Sequence, residues 1–166
     1  MQLGVPSRSR IPAYRRLQED IEEQVAVINA RHGREHWTPV LLLRDQRERN
    51  DLLPLYCTSE VCAVNSVHDG MNLVAKEYVA ARVDRRGALV LSEFAGAARE
   101  LPQALLVNPY AIGATGETLY KALTMPEEEQ SARLERMRET VKEQNVYRWV
   151  GRLLVEAARL DAARSW

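Results

Sequence analysis

The sequence reads as an α/β domain on a parallel, doubly wound sheet, and three observations point that way. Short apolar runs of strand length alternate with segments whose apolar residues recur every three or four positions. The connections between these segments are short, as βαβ units require. The runs at 38–43 and 61–65 are continuously apolar rather than alternating, the pattern of strands covered on both faces.

The elements follow in chain order. Gln2 to Val5 is the tail of a strand, ended by Pro6. From Ile11 to His32, the residues Tyr14, Leu17, Ile21, Val25 and Ile28 form one helical face, which Gly33 stops. Thr38 to Leu43 is the first buried strand, and Glu48 to Cys57 a short helix. Val61 to Asn65 is the next strand, followed by an Asp69-Gly70 turn and a helix from Leu73 to Ala81. Strands are expected at Gly87–Leu91 and Ala104–Val107. Pro109, Gly113 and Gly116 loosen the chain before a helix at Thr118–Leu123. Pro126 and three glutamates open another helix, with proline in its first turn and acids facing the macrodipole. Leu134, Met137 and Val141 are its apolar stripe. In a last helix Tyr147, Val150, Leu154 and Ala157 share a face. The rhythm changes at residue 126, so 1–125 is read as the sheet-bearing domain and 126–166 as a helical extension packing on it or crossing from it.

Composition excludes several classes. Of 166 residues, 23 are basic and 23 acidic, so there is no one-signed field to hold nucleic acid or an anionic membrane surface. No apolar run approaches the roughly 20 residues of a bilayer span, and residues 1–10 lack the apolar stretch of a secretory signal. Arginine supplies 20 of the 23 basic residues, but interleaved with acids. Two cysteines, Cys57 and Cys62, make no disulfide framework, which favours a cytoplasmic address, and both read as core thiols. His32 and His36 stand four apart, but Gly33 interrupts the helix and no third ligand is evident, so no metal is expected. Neither GxGxxG nor GxxxxGK[ST] occurs among the eight glycines, and there is no GxSxG elbow.

One stretch, Val61 to Tyr78, can carry chemistry. A buried strand ends, a glycine-containing turn follows, and a helix opens at the strand's carboxyl end. Asn72 stands as N-cap, leaving the N–H groups of Leu73 and Val74 to point outward. Such a helix start attracts phosphate, and doubly wound folds bind ligands there. Glu77, one turn beyond Leu73, could accept from two ribose hydroxyls, and Asp69 from sugar hydroxyls. The same residues also suit an ordinary N-cap, a surface glutamate and a turn aspartate; the pattern alone leaves both readings open.

The run His68-Asp69-Gly70-Met71-Asn72-Leu73-Val74-Ala75-Lys76-Glu77-Tyr78-Val79-Ala80-Ala81 closely resembles the donor-nucleotide motif of trehalose-6-phosphate synthases. These are retaining glycosyltransferases that move glucose from UDP-glucose to glucose-6-phosphate. The resemblance continues through Leu91–Ala98 and Leu106–Tyr110, and upstream through Val5–Arg8, Ile28-Asn29 and Trp37–Pro39. It covers about residues 2 to 155. It implies a fold of two facing Rossmann-like (GT-B) halves, of which this chain resembles the C-terminal, donor-binding half. It further implies that Leu73, Val74, Ala75, Lys76 and Glu77 hold UDP-glucose, with Glu77 on the ribose, while Asp69, Gly70, Met71 and Asn72 line the glucose and diphosphate. Arg8 matches an arginine that reaches the acceptor phosphate, and Arg47 a position that contacts uracil. His68 stands where the family usually has arginine.

The family's other half supplies the acceptor pocket and a catalytic histidine, so this chain contains no catalytic residue by that correspondence. The family's arginine and lysine that grip the donor diphosphate precede the position of Val5. Hydrogen bonds to charged groups are worth about 1.5–3 kcal/mol each, so their loss would weaken donor binding by on the order of 10²–10⁴. The expectation is a donor-binding half, inactive alone and in need of its counterpart half or a partner chain. The competing expectation is a solitary, non-catalytic module that binds a sugar nucleotide or a protein. The resemblance also implies that the last helix crosses to the other half. Its face at Tyr147, Val150 and Leu154 would then be uncovered, and homo-oligomers are expected through it.

Overall fold

A computed structural model describes residues 1–4, 10–45 and 47–164. The chain forms two compact units, Met1–Arg49 and Asn50–Trp166. In the first, strand β1 (Gln2–Leu3) pairs in parallel with β2 (Leu42–Leu43). Helix α1 (Pro12–His32) starts on proline and ends with Arg31 and His32 in its last turn, both favourable positions. Of its expected apolar face, Ile21 and Val25 are half-buried, whereas Tyr14, Leu17 and Ile28 are exposed. The expected strand at 38–43 shortens to its last two residues, and these are only half-buried. Pro39 has no N–H to give a ladder, and Val40 spends both backbone groups on the Asn29 side chain, at 2.9 and 3.0 Å. The end of the run thus docks on α1 through an amide side chain instead of extending a sheet.

The second unit carries α2 (Arg49–Thr58), whose first residue lies at the boundary, then β3 (Val61–Val64), α3 (Leu73–Ala81) and β4 (Ala88–Ser92). A 3-10 turn (Gly96–Arg99), β5 (Leu105–Val107), α4 (Ile112–Leu123), α5 (Glu127–Glu143) and α6 (Val146–Arg164) complete it. Its sheet runs β3-β4-β5, all parallel.

Strand alternation sorts the core into two layers. Leu89 and Leu91 of β4 join Val64, Tyr56, Leu101, three residues of α3 (Ala75, Tyr78, Val79) and two of α5 (Leu134, Met137). Ala88 and Val90 turn the other way, to Leu105, Val107, Ala122 and Met125, with Leu119 of α4 against them. Every residue of β4 is buried, which explains its unbroken apolar run. The doubly wound, parallel α/β architecture expected from the sequence is present here.

Two local expectations give way. Helix α4 begins at Ile112, six residues before the expected Thr118. Gly113 and Gly116 lie inside it, each costing about 1 kcal/mol of helix propensity. Both face open space, while burial of Ala122 beside half-buried Leu119 holds the helix on the sheet. Cys57 is exposed rather than a core thiol, its sulfur 3.7 Å from the Ala81 carbonyl, whereas burial pushes the Cys62 thiol up to about 12. The α5 stripe is placed as expected: Leu134 and Met137 are buried and Val141 packs beside them. On α6, Tyr147, Val150 and Leu154 are all exposed. Among the described residues, no helix is long and apolar enough to cross a membrane.

Candidate functional site

Residues 65–72 leave the carboxyl end of β3 and are held by the loop that leaves β4. The Asp69 N–H donates to the Phe94 carbonyl at 3.3 Å, and the Gly96 N–H returns to the Asp69 carbonyl at 2.9 Å. The Ala97 N–H donates to the Met71 carbonyl at 2.6 Å. The two loops approach so closely that a Cβ on Gly96 would overlap the Gly70 carbonyl oxygen and lie 2.7 Å from its carbon. Gly70 itself faces open space.

Within the loop, Asp69 and Asn72 form a small network. The Asp69 carboxylate accepts from the Met71 N–H and from Asn72 Nδ2, both at 3.0 Å. The Met71 N–H, and after it the Asn72 amide, hold the Asp69 carboxyl below its ordinary range. Asn72 adopts φ 75°, a left-handed conformation that asparagine tolerates better than most residues, and its Oδ1 caps the Ala75 N–H at 2.9 Å. The N-cap expected from the sequence is therefore present, on a buried asparagine.

Cap choice decides which donors remain. The Leu73 and Val74 N–H groups, first and second in α3, have no acceptor among the described residues, and both residues are exposed. The Ala75 N–H is consumed by the cap, and its side chain is fully buried. Lys76 does not stand free: its ammonium binds both Glu100 oxygens at 2.9 and 3.0 Å. Glu77 is half-buried, and its Oε2 accepts from the Tyr56 hydroxyl at 3.2 Å.

The structure thus brings together Asp69, Gly70, Met71, Asn72, Leu73, Val74, Ala75, Lys76 and Glu77. Arg47 belongs to the first unit, exposed in the loop before α2 with its guanidinium 3.7 Å from the Asp45 carboxylate. Arg8 lies outside the described residues. His68 is exposed beside Asp69. Sequence reasoning missed Tyr56, Glu100 and the Gly96 approach. Tyr56 carried no signal beyond an apolar helix position, and the pairings join loops and helices 21 to 26 residues apart.

Other features of the strand ends frame this loop. Ser92 is fully buried and its hydroxyl accepts from the Phe94 N–H at 3.1 Å. Phe94 and Tyr110, from the loops after β4 and β5, meet at a tilt of 59° with ring centroids 6.1 Å apart, and both are exposed. An open cavity of about 340 Å³ lies elsewhere, at the other end of α3, lined by Ala80, Arg85, Glu135 and Arg138 among others. It shares no residue with the loop. Chemically, the loop offers two outward N–H donors at a helix's positive end, a carboxylate fixed by its own loop, and a second carboxylate one turn along. That set suits a phosphorylated ligand carrying hydroxyl groups.

Comparison with known proteins shows the family. The chain is 44% identical over 162 residues to a trehalose-6-phosphate synthase of Mycobacterium leprae, a match covering 98% of this chain and 32% of that protein. It is 42% identical over 144 residues to a glucosylglycerol-phosphate synthase of Synechocystis, covering 87% of this chain and 29% of the other. A solved structure from E. coli, described as trehalose-6-phosphate bound with UDP-2-fluoro glucose, superposes with a TM-score of 0.90 at 37% identity, covering 93% of this chain and 35% of that one. The chain spans about a third or less of the length of these relatives. The model of glycosyltransferase family 20 matches residues 1–159, and the chain belongs to that family.

Proposed function

We propose that these residues are the donor-binding part of a trehalose-6-phosphate-synthase-like glycosyltransferase, taking UDP-glucose as glucosyl donor and glucose-6-phosphate as acceptor. The observation that carries the reading is the start of α3. Two unpartnered N–H groups stand there at a strand's carboxyl end, next to the Asp69–Asn72 network, in a chain of this family. The diphosphate sits on the Leu73 and Val74 N–H groups. As the glycosidic bond breaks, negative charge grows on the leaving β-phosphate, and preorganised amides at a helix N-terminus stabilise it without rearranging. Asp69 and Met71 border the glucose, Gly70 leaves it room, and Glu77 accepts from the ribose. Arg47 and Arg8 are assigned to the base and the acceptor phosphate, and residues 1–125 to the donor domain. The relatives bear two different product names at nearly equal identity. The acceptor is accordingly the less constrained half of the proposal.

Transfer needs donor and acceptor held together, a positioning effect worth roughly 7–11 kcal/mol. With a third of the relatives' length, the 166-residue chain is expected to bind donor and not to turn it over. Calorimetric titration with UDP and UDP-glucose tests this, with Glu77→Ala and Asp69→Ala as controls. Micromolar to low-millimolar binding that Glu77→Ala weakens by about 10-fold or more supports the reading. An absence of heat at millimolar ligand overturns it and leaves an interaction module as the better account. UDP release on adding UDP-glucose and glucose-6-phosphate to the chain alone would refute its inactivity.

A further inference from the structure

We propose that Tyr56 is a positioning residue of the donor site: its hydroxyl fixes the Glu77 carboxylate so that one oxygen stays available to the ribose hydroxyls of a uridine nucleotide. The inference rests on the assignment of Glu77 to the ribose. It goes further in naming what makes Glu77 selective.

Glu77 sits on the second turn of α3, half-buried, and nothing on its own helix orients its carboxylate. The Tyr56 hydroxyl, reaching across from α2, donates to Oε2 at 3.2 Å. Oε1 has no partner among the described residues. A carboxylate with one oxygen tied to a fixed donor presents the other in a defined direction.

The tyrosine is well placed to act as that fixed point, because α3 holds it at both ends. Its ring is buried and meets Tyr78 of α3 edge-on, with centroids 6.4 Å apart. Its carbonyl accepts from Arg82 Nη1 at 3.2 Å, and the same nitrogen binds the carbonyls of Cys57 and Ser59 at 2.8 and 2.7 Å. Arg82 is the C-cap residue of α3, so one helix carries Glu77, the ring that packs Tyr56 and the cation that holds its backbone. Burial, and then the neighbouring Glu77 charge, raise the Tyr56 hydroxyl to about 12, so it remains a proton donor across the neutral range.

A hydroxyl that merely satisfied its own burial would affect folding and not ligand choice. The test therefore compares UDP with 2′,3′-dideoxy-UDP by calorimetry in the 166-residue chain, Tyr56→Phe, Glu77→Ala and the double variant. Phenylalanine keeps the ring and removes only the donor. The parent should prefer UDP by about 10-fold or more, and Tyr56→Phe should weaken UDP by about 3- to 10-fold while leaving the dideoxy analogue within about twofold. On the Glu77→Ala background, Tyr56→Phe should change neither. Full retention of the UDP preference in Tyr56→Phe, with the parent discriminating, overturns the positioning role and leaves the ribose assignment standing. A parent that binds both ligands equally overturns the ribose assignment and this inference with it. Thermal melts accompany each titration, and if Tyr56→Phe fails to fold, Tyr56→Leu, which also has no donor and adds no volume, replaces it with the same expected loss of preference.

Discussion

Gly96→Ala isolates the contact that shapes the site. A Cβ at position 96 would overlap the Gly70 carbonyl oxygen and stand 2.7 Å from its carbon and 3.2 Å from Met71 Cα. All three are backbone atoms, so no side chain can swing aside and the two loops must part. Parting them strains or breaks three bonds: Asp69 N–H to Phe94, Gly96 N–H to Asp69, and Ala97 N–H to Met71. At about 0.5–1.5 kcal/mol net each, the loss is about 1.5–4.5 kcal/mol. The lower backbone entropy of unfolded alanine offsets about 0.4–1 kcal/mol of it. A net loss near 2 kcal/mol would lower the melting temperature of a chain this size by about 4–8 °C. Donor affinity should fall by about 10-fold or more, because Asp69 and the Asn72 cap move with the loop. Gly70→Ala is the companion variant. Its Cβ meets nothing within 4 Å, and its φ is not positive. It should melt within about 1 °C of the parent yet bind UDP-glucose more weakly, since the new methyl enters the space given to the sugar. Calorimetry and thermal melts read both. Gly96→Ala melting like the parent and binding UDP within about twofold would refute the claim that this loop contact organises the site.

The remaining predictions concern other parts of the molecule. Arg82→Met leaves the carbonyls of Tyr56, Cys57 and Ser59 without their shared donor, and should lower stability by about 3 kcal/mol or more in urea titration. The Asp69 carboxyl is held below the ordinary value of about 3.9, so its contribution is complete above that value and lost as pH falls through the lowered one. The protection factor of the Met71 amide, its exchange relative to an unstructured chain at the same pH, should therefore hold from pH 7 to about 4 and fall only in stronger acid, a dependence that Asp69→Asn abolishes. Iodoacetamide at mildly alkaline pH should modify exposed Cys57 in the folded chain and reach Cys62 only on unfolding, as peptide mass spectrometry would report. With Tyr147, Val150 and Leu154 exposed along α6, light scattering should show concentration-dependent self-association that Val150→Glu with Leu154→Glu removes.

Much of the fold was legible because the physics that places it is local or periodic. The apolar run expected as a strand at Gly87–Leu91 is β4, fully buried between two helical layers, whereas the run at 61–65, expected to be covered on both faces, forms a β3 with Val61 and Cys62 half-buried and Ala63 exposed. Asn72 announced the N-cap by residue type and position, and it caps Ala75. The same rules misread 38–43, where a side chain 11 residues upstream takes the backbone groups a strand would need. They also misread α4, where tertiary burial of Leu119 and Ala122 outweighs two glycines. In the site, the N–H donors could be read from the helix start. The partners of its charged side chains could not, because Lys76–Glu100 and Tyr56–Glu77 are set by how helices and loops pack.

Those partnerships change what the residue run 69–77 means chemically. Lys76 and Ala75 belong to the run that resembles a nucleotide motif, yet one is bound to Glu100 and the other is closed by the cap and buried. What remains outward is mostly backbone: the Leu73 and Val74 N–H groups, with the Asp69 and Glu77 carboxylates beside them. Backbone recognition constrains side chains by what they must permit rather than by what they contribute. The Asn72 cap is indispensable because it selects which N–H groups stay free. Gly96 must be glycine because the loops touch, and Tyr78 and Val79 must be apolar because α3 stands on the sheet. The exposed side chains of Leu73 and Val74 are the least constrained on this account, and their alanine variants should retain donor binding, since neither substitution removes an N–H. The resemblance of this run to the family's donor motif then reflects the loop and helix architecture that aims two amides, more than a set of side chains gripping the ligand.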